Sequence, residues 1–228
     1  MTSKFDGFLS NDYMRPIVCQ EKSTINIKEI MDTGKILLVN LSKGRLGDIN
    51  SYLLGLILVG KFSMAALGRV DIKDPKDRRD FFLYLDEFQN VTTPAIASIL
   101  SEARKYRLSL NIAHQYIKQI PEDIKDAVFG NVGSMAVFRV GPEDAKFLET
   151  QFVPDFTADD ILKIDNYNCY MKLLSDNKPH PPFSLKTIQA PKGNPEQNQK
   201  LKELSALKYG RPIEEINEEI NEKFKNIL

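Results

Sequence analysis

The residues of this chain best suited to chemistry are Asp86 and Glu87, which follow directly on Phe81-Phe82-Leu83-Tyr84-Leu85. Five large apolar or aromatic residues in a short continuous run read as a strand buried on both faces, as in a parallel α/β sheet. Carboxylates at the carboxyl end of such a strand lie where α/β sheets place their ligands. In nucleoside triphosphatases this pairing is the Walker B arrangement: the first acid supports the Mg²⁺ shell and the second polarises the attacking water. The same two acids would also serve as a plain strand end, facing solvent or capping the next helix.

Two more apolar runs end in hydrogen-bonding groups. Lys35-Ile36-Leu37-Leu38-Val39-Asn40-Leu41-Ser42 ends on Asn40 and Ser42, and Leu108 to Gln115 ends on His114 and Gln115. If the three strands are parallel, their ends form one polar crest above a dry sheet, which is what a phosphate and metal site needs. Gln115 both donates and accepts, so it can orient a water or sense a terminal phosphate; ordinary solvent exposure is its other reading. His114 has no metal-ligand or nucleophile partner nearby in sequence and reads as packing. In Ser101-Glu102-Ala103-Arg104-Lys105-Tyr106-Arg107, Arg104 falls at the margin of an apolar helix stripe. Its guanidinium could reach a neighbouring subunit's nucleotide as an arginine finger, or simply sit near a helix C-terminus, where the dipole favours a cation.

A phosphate-binding G-x-x-x-x-G-K-[ST] is absent from the sequence. Gly55-Leu56-Ile57-Leu58-Val59-Gly60-Lys61-Phe62 has the glycine and lysine spacing, but Phe62 replaces the Mg²⁺-binding hydroxyl. The segment is apolar and lies within a helical pattern, so it reads as a decoy.

The elements that must position these residues alternate. A helical pattern runs from Leu46 to Leu67, and a charged loop containing Pro75 precedes the Phe81 strand. Thr93 and Pro94 read as a helix cap and first turn, with the helix ending near Tyr106. Further strands are expected at Met135–Val140, Cys169–Leu174 and Phe183–Ile188, with helices from Gly141-Pro142 to Phe152 and from Asp159 to Ile164. Phe8, Leu9, Met14, Ile17 and Val18 suggest a short early helix. The expected fold is α/β, a mostly parallel sheet flanked by helices. From Pro191 the composition turns polar, and Ile213, Ile216, Ile220, Phe224 and Ile227 then recur at helical spacing in a terminal amphipathic helix.

Lys+Arg and Asp+Glu both number 31 in 228 residues, so no global basic field announces nucleic acid. A local patch or a ring of subunits could still supply one. Cys19 and Cys169 are far apart, without metal spacing, as in a reduced cytosolic protein. Neither an apolar run of roughly 18 residues nor a signal-peptide pattern is evident.

Taken in order, Ile36-Leu37-Leu38-Val39-Asn40-Leu41-Ser42-Lys43-Gly44, Leu85-Asp86-Glu87-Phe88, Ser101-Glu102-Ala103-Arg104-Lys105-Tyr106, Ala113-His114-Gln115, and Phe138-Arg139-Val140-Gly141 with Asp144-Ala145 carry a family resemblance. The run from Lys35 to about Phe152 resembles the carboxyl half of the motor domain in type IV secretion coupling proteins of the TraG/TraD type, relatives of the HerA and FtsK DNA-pumping ATPases. The resemblance implies the distal part of a RecA-like P-loop NTPase core in residues 1–190, with ATP and Mg²⁺ as cofactors. It implies that Asp86 supports Mg²⁺ and that Glu87 is the catalytic base. Arg104 is then the finger across a hexamer interface, Gln115 the sensor, and Arg139 a second interface arginine. It implies DNA, a hexameric ring, a membrane secretion channel and relaxosome proteins as partners. The expected location is cytoplasmic, at the inner face of the membrane through a further N-terminal segment. Family members carry a P-loop ahead of this region, so the chain reads as a carboxyl-terminal portion of a DNA translocase. The alternatives are a non-catalytic module that assembles with full motor subunits, and an unrelated α/β enzyme using Asp86 and Glu87 for metal-assisted hydrolysis.

Overall fold

The computed structural model describes residues 11–225. Phe8, Leu9 and Ile227, and the side chain of Phe224, lie outside what is described. The chain divides into two units: Phe62–Ala190, and a second made of residues up to Lys61 together with those from Pro191 onward. Residues 11–61 thus group with the terminal helices.

The first run of the second unit contains α1 (Met14–Val18), α2 (Ile27–Thr33), α3 (Lys43–Leu46) and the start of α4 (Asp48–Leu67). Asn26 caps α2 by accepting from the Glu29 N–H, and Gly34 ends it in the left-handed region at φ 68°. The strand expected at Lys35–Ser42 is not formed. That segment joins no sheet, and Ile36 and Leu38 are 89% and 87% exposed. An apolar run becomes a strand only when another strand satisfies its backbone, and among the described residues none does. The Gly55–Phe62 decoy lies inside the 20-residue α4, so it is helix and not a phosphate loop. With the turn that follows it to Asp71, α4 is long and apolar enough to cross a membrane by length and composition, and a core helix passes the same test. This corrects the expectation that no segment reaches that length.

The Phe62–Ala190 unit holds β1 (Phe81–Leu85), α5 (Pro94–Glu102), β2 (Leu108–Ile112), α6 (Glu122–Asn131), β3 (Met135–Val137), α7 (Pro142–Phe152), α8 (Ala158–Leu162), β4 (Asn168–Lys172), β5 (Leu174–Ser175), β6 (Lys178–Pro179) and β7 (Phe183–Lys186). β1 and β2 pair in parallel, from Phe81 opposite Leu108 to Leu85 opposite Ile112. β3, β4 and β7 form an antiparallel sheet in that order, and β5–β6 is a hairpin. The α/β class holds, with parallel pairing confined to β1–β2 among the described residues. β4 to β7 follow one another through turns, which favour antiparallel neighbours, whereas β3 reaches β4 through α7 and α8.

Pro94 occupies the first turn of α5, but the Thr93 side chain makes no cap bond, and only its carbonyl accepts, from Ile96 N–H. Thr157 and Asp160 form a reciprocal capping box on α8. Ile117, Val137, Ala145, Leu148, Phe152, Ile161 and Ile164 make one buried cluster, with Phe156 stacked on Tyr170 at 3.7 Å between ring centres.

Two helices close the chain, α9 (Pro195–Tyr209) and α10 (Ile213–Lys225). α9 buries no residue and begins at Asn194, whose side chain accepts from the Glu196 and Gln197 N–H groups. On α10, Ile216 and Ile220 are buried, and the helix packs against α1. Arg15 donates to Asn221 at 2.8 Å, and Lys223 pairs with Glu21 at 2.6 Å.

Candidate functional site

The site is built where the β1–β2 ladder runs on past its strands. Ala113 N–H donates to the Leu85 carbonyl, and Phe88 N–H donates to the Ala113 carbonyl, each at 2.9 Å. Between these bonds Glu87 adopts φ 49° and ψ 46°, a left-handed conformation that costs a non-glycine residue about 1–2 kcal/mol. That turn leads from the strand into a 3₁₀ turn over Phe88–Val91, anchored by the buried Phe88 and Val91.

The consequence is a bracketed carboxylate. Glu87 Oε1 accepts from Gln115 Nε2 at 2.5 Å, and Oε2 accepts from Gln89 Nε2 at 2.6 Å. Asp86 is exposed beside it and accepts the Glu87 N–H at 3.0 Å. Two of the three expected strand ends therefore meet. Asn40 and Ser42 belong to the other unit and stand on no strand. His114 is half-buried. Burial pushes its pKa down, and the Asp144 carboxylate opposes this. Asp144 itself accepts from Ile117 N–H at 3.2 Å.

Arg104 is not brought to the acids. It lies in the 3₁₀ turn Ala103–Tyr106 that feeds the amino end of β2, whereas Glu87 follows the carboxyl end of the parallel β1. Five strand residues separate these ends, roughly 16 Å. The Arg104 guanidinium instead donates to Asn177 Oδ1 at 2.8 Å. Asn177 and Asp176 are the two positive-φ residues that turn the β5–β6 hairpin. Arg139 follows β3 and donates to Asn166 Oδ1 at 2.9 Å.

A residue without an expected role proves structural. Arg69 is fully buried, and its Nη1 donates to the carbonyls of Arg79 and Tyr106, both at 2.9 Å, and of Arg107 at 3.4 Å. It ties together the residues that start β1 and β2, and so supports their register. Gln89 is the other residue that sequence reasoning passed over. Its signal was a carboxamide two positions after Glu87.

Mg²⁺ is held through one or two carboxylates plus waters and phosphate oxygens, and the adjacent Asp86 and Glu87 fit that chemistry. Among the described residues no group of three or more His, Cys, Asp or Glu gathers to hold an ion unaided. For the phosphates themselves, this sequence offers no glycine-rich cradle.

Residues 80–150 match the family model described as the TraM recognition site of TraD and TraG. No curated protein matches the chain significantly. Among solved structures, the chain is similar to the genome packaging NTPase B204 from Sulfolobus turreted icosahedral virus 2, solved in complex with AMPPCP. There the TM-score is 0.50 and the identity 14%, over 74% of each chain. It is also similar to the bacterial conjugative coupling protein TrwBdeltaN70, at TM-score 0.46 and 14% identity, over 57% of this chain and 35% of that one. The chain thus spans about a third of the length of that coupling protein. The fold is of the α/β type found in such NTPases. The matched residues 80–150 hold Asp86, Glu87, Arg104, Gln115 and Arg139, and are similar to the carboxyl-terminal segment of TraD and TraG.

Proposed function

We propose that this chain supplies the water-activating and interface part of an ATP-driven DNA-moving motor of the coupling-protein type, acting with a phosphate cradle that this sequence does not contain. The observation that carries the reading is the Glu87 carboxylate, held between Gln115 at 2.5 Å and Gln89 at 2.6 Å beside Asp86. Glu87 is the base that takes a proton from the attacking water. Gln115 holds that base and, standing on an exposed loop, senses what approaches it. Asp86 is the carboxylate for the metal's water shell. Mg²⁺, when bound, neutralises phosphate charge.

Arg104 supports an oligomeric reading. A guanidinium at the far end of the sheet from its own Glu87 serves a neighbour's site, not its own. Arg139, exposed just after β3, is proposed as a second interface cation. A ring of copies would give DNA a path that the balanced net charge of one chain does not. The location proposed is the cytoplasmic face of the membrane, beside a secretion channel.

A second reading draws on the matched segment's description as a TraM recognition site. In it, residues 80–150 bind a relaxosome protein and take no part in hydrolysis. Phosphate release by the purified chain, with Mg²⁺ and DNA, tests the need for an external cradle. The isolated chain is expected to show none. Turnover of about 1 s⁻¹ or more that is lost in Glu87→Gln would overturn that part of the proposal.

A further inference from the structure

Glu87 has two amide donors, and they are not equivalent. Gln115 follows β2 on an exposed loop. Gln89 is partly buried and sits in the 3₁₀ turn between Phe88, which is 0% exposed, and Val91, which is 8% exposed. Asn90 N–H closes that turn onto the Glu87 carbonyl at 2.9 Å. The Gln89 amide turns its Nε2 to Glu87 Oε2 at 2.6 Å, the donor end facing the acceptor. Its Oε1 is then buried with no donor among the described residues. Burying an acceptor unpaired costs stability, and an apolar side chain of the same length would avoid that cost. What the glutamine provides in return is the N–H on Glu87 Oε2.

We infer that Gln89 is the positioning residue of the site: it fixes the direction of the Glu87 carboxylate, so that Gln115 can leave and return without the base moving. The role deepens the hydrolytic reading above and rests on it for its purpose, but its geometry stands apart from turnover. The left-handed turn at Glu87 brings residues 87 and 89 onto one side of the chain. Gln115 arrives from a separate segment, 28 residues further on. A local donor set in the core constrains the base more tightly than a donor on a loop.

The test is the side-chain amide spectrum of the ¹⁵N-labelled full chain, without nucleotide. Gln89→Met keeps length and volume and removes the donor. The expected result is that the Gln115 amide pair moves toward the position of a free glutamine, because Glu87 is no longer held for it. In the reciprocal variant, Gln115→Met, the Gln89 pair is expected to stay in place. An unmoved Gln115 pair in Gln89→Met, or an equal displacement of the Gln89 pair in Gln115→Met, overturns the assignment. Amide hydrogen exchange in the unmutated chain decides the matter even if Gln89→Met fails to fold. The Gln89 amide should exchange more slowly than that of Gln115, and the reverse order overturns the inference. No measurement here needs ATP, so its failure leaves the hydrolytic reading standing, and an inactive motor leaves Gln89 where it is.

Discussion

Gln115 and Glu87 are 28 positions apart and joined by a 2.5 Å hydrogen bond. The bond exists because β1 and β2 run parallel in the register Phe81–Leu108 to Leu85–Ile112, and the ladder continues through Ala113 and Phe88. The strand register thus sets an amide at one strand end against a carboxylate at the next.

Arg104 and Glu87 stand at opposite ends of that strand pair. In a chain joined to a P-loop segment, Arg104→Ala should cut turnover by orders of magnitude while leaving nucleotide affinity nearly unchanged. Arg104→Lys should not restore it, because an ammonium lacks the planar fork. Mixed assemblies of Arg104→Ala and Glu87→Gln subunits should regain activity, since some interfaces then pair an intact Glu87 with an intact Arg104. Steady-state phosphate release on proven co-assemblies checks this, and mixtures as inactive as each parent would rule out action across an interface.

Arg69 should matter for stability and not for chemistry. Its guanidinium satisfies backbone carbonyls that precede both parallel strands. Hydrogen bonds to a charged group contribute about 1.5–3 kcal/mol each, so Arg69→Met should lower the unfolding free energy by roughly 3 kcal/mol or more. A urea midpoint unchanged from the parent would show that the carbonyls find other partners.

His114 gives a pH dependence with a definite sign. Burial disfavours its imidazolium and Asp144 only partly offsets this, so its folded pKa is lowered. The contribution of the neutral ring to stability is complete above the unfolded value, about 6.5, and is lost as pH falls through the lower folded value. His114→Asn should therefore flatten part of the fall in stability as pH drops below about 6.5. Equal slopes for parent and variant would place His114 outside this effect.

The terminal helix docks within its own unit. Ile216 and Ile220 are 5% and 3% exposed. Ile220→Ala should cost about 2–4 kcal/mol, with the loss confined to the unit that contains residues 11–61. Hydrogen exchange should show the Phe62–Ala190 unit protected as before when residues 191–228 are removed. Loss of protection there would mean that the helix supports the site unit as well.

The strands that carry Glu87 and Gln115 were legible as short apolar runs closed by polar groups, but the expected burial on both faces is not met, since Phe82 and Tyr84 are 57% and 73% exposed. Lys35–Ser42 has the same pattern and is no strand: composition records an appetite for burial, whereas pairing depends on a neighbour far away in sequence. α9 was missed because it buries nothing, so no periodicity marks it, although Asn194-Pro195 is a legible start signal. Arg69 and Gln89 were missed for one reason. Their partners are backbone carbonyls and a carboxylate brought near by the fold, and neither leaves a spacing to read.

The central claim is that Glu87, bracketed by two amides, activates water once phosphates are held by a cradle this sequence lacks. The most direct measurement is Mg²⁺-dependent ATP hydrolysis by the chain alone and by the chain fused in frame to the strand, P-loop and helix of a TraG/TraD-type coupling protein. Nucleotide binding by the fusion should be verified first. The account predicts no turnover from the chain alone, and turnover in the fusion that falls by orders of magnitude in Glu87→Gln without loss of nucleotide binding. Hydrolysis by the fusion that is indifferent to Glu87→Gln would contradict it.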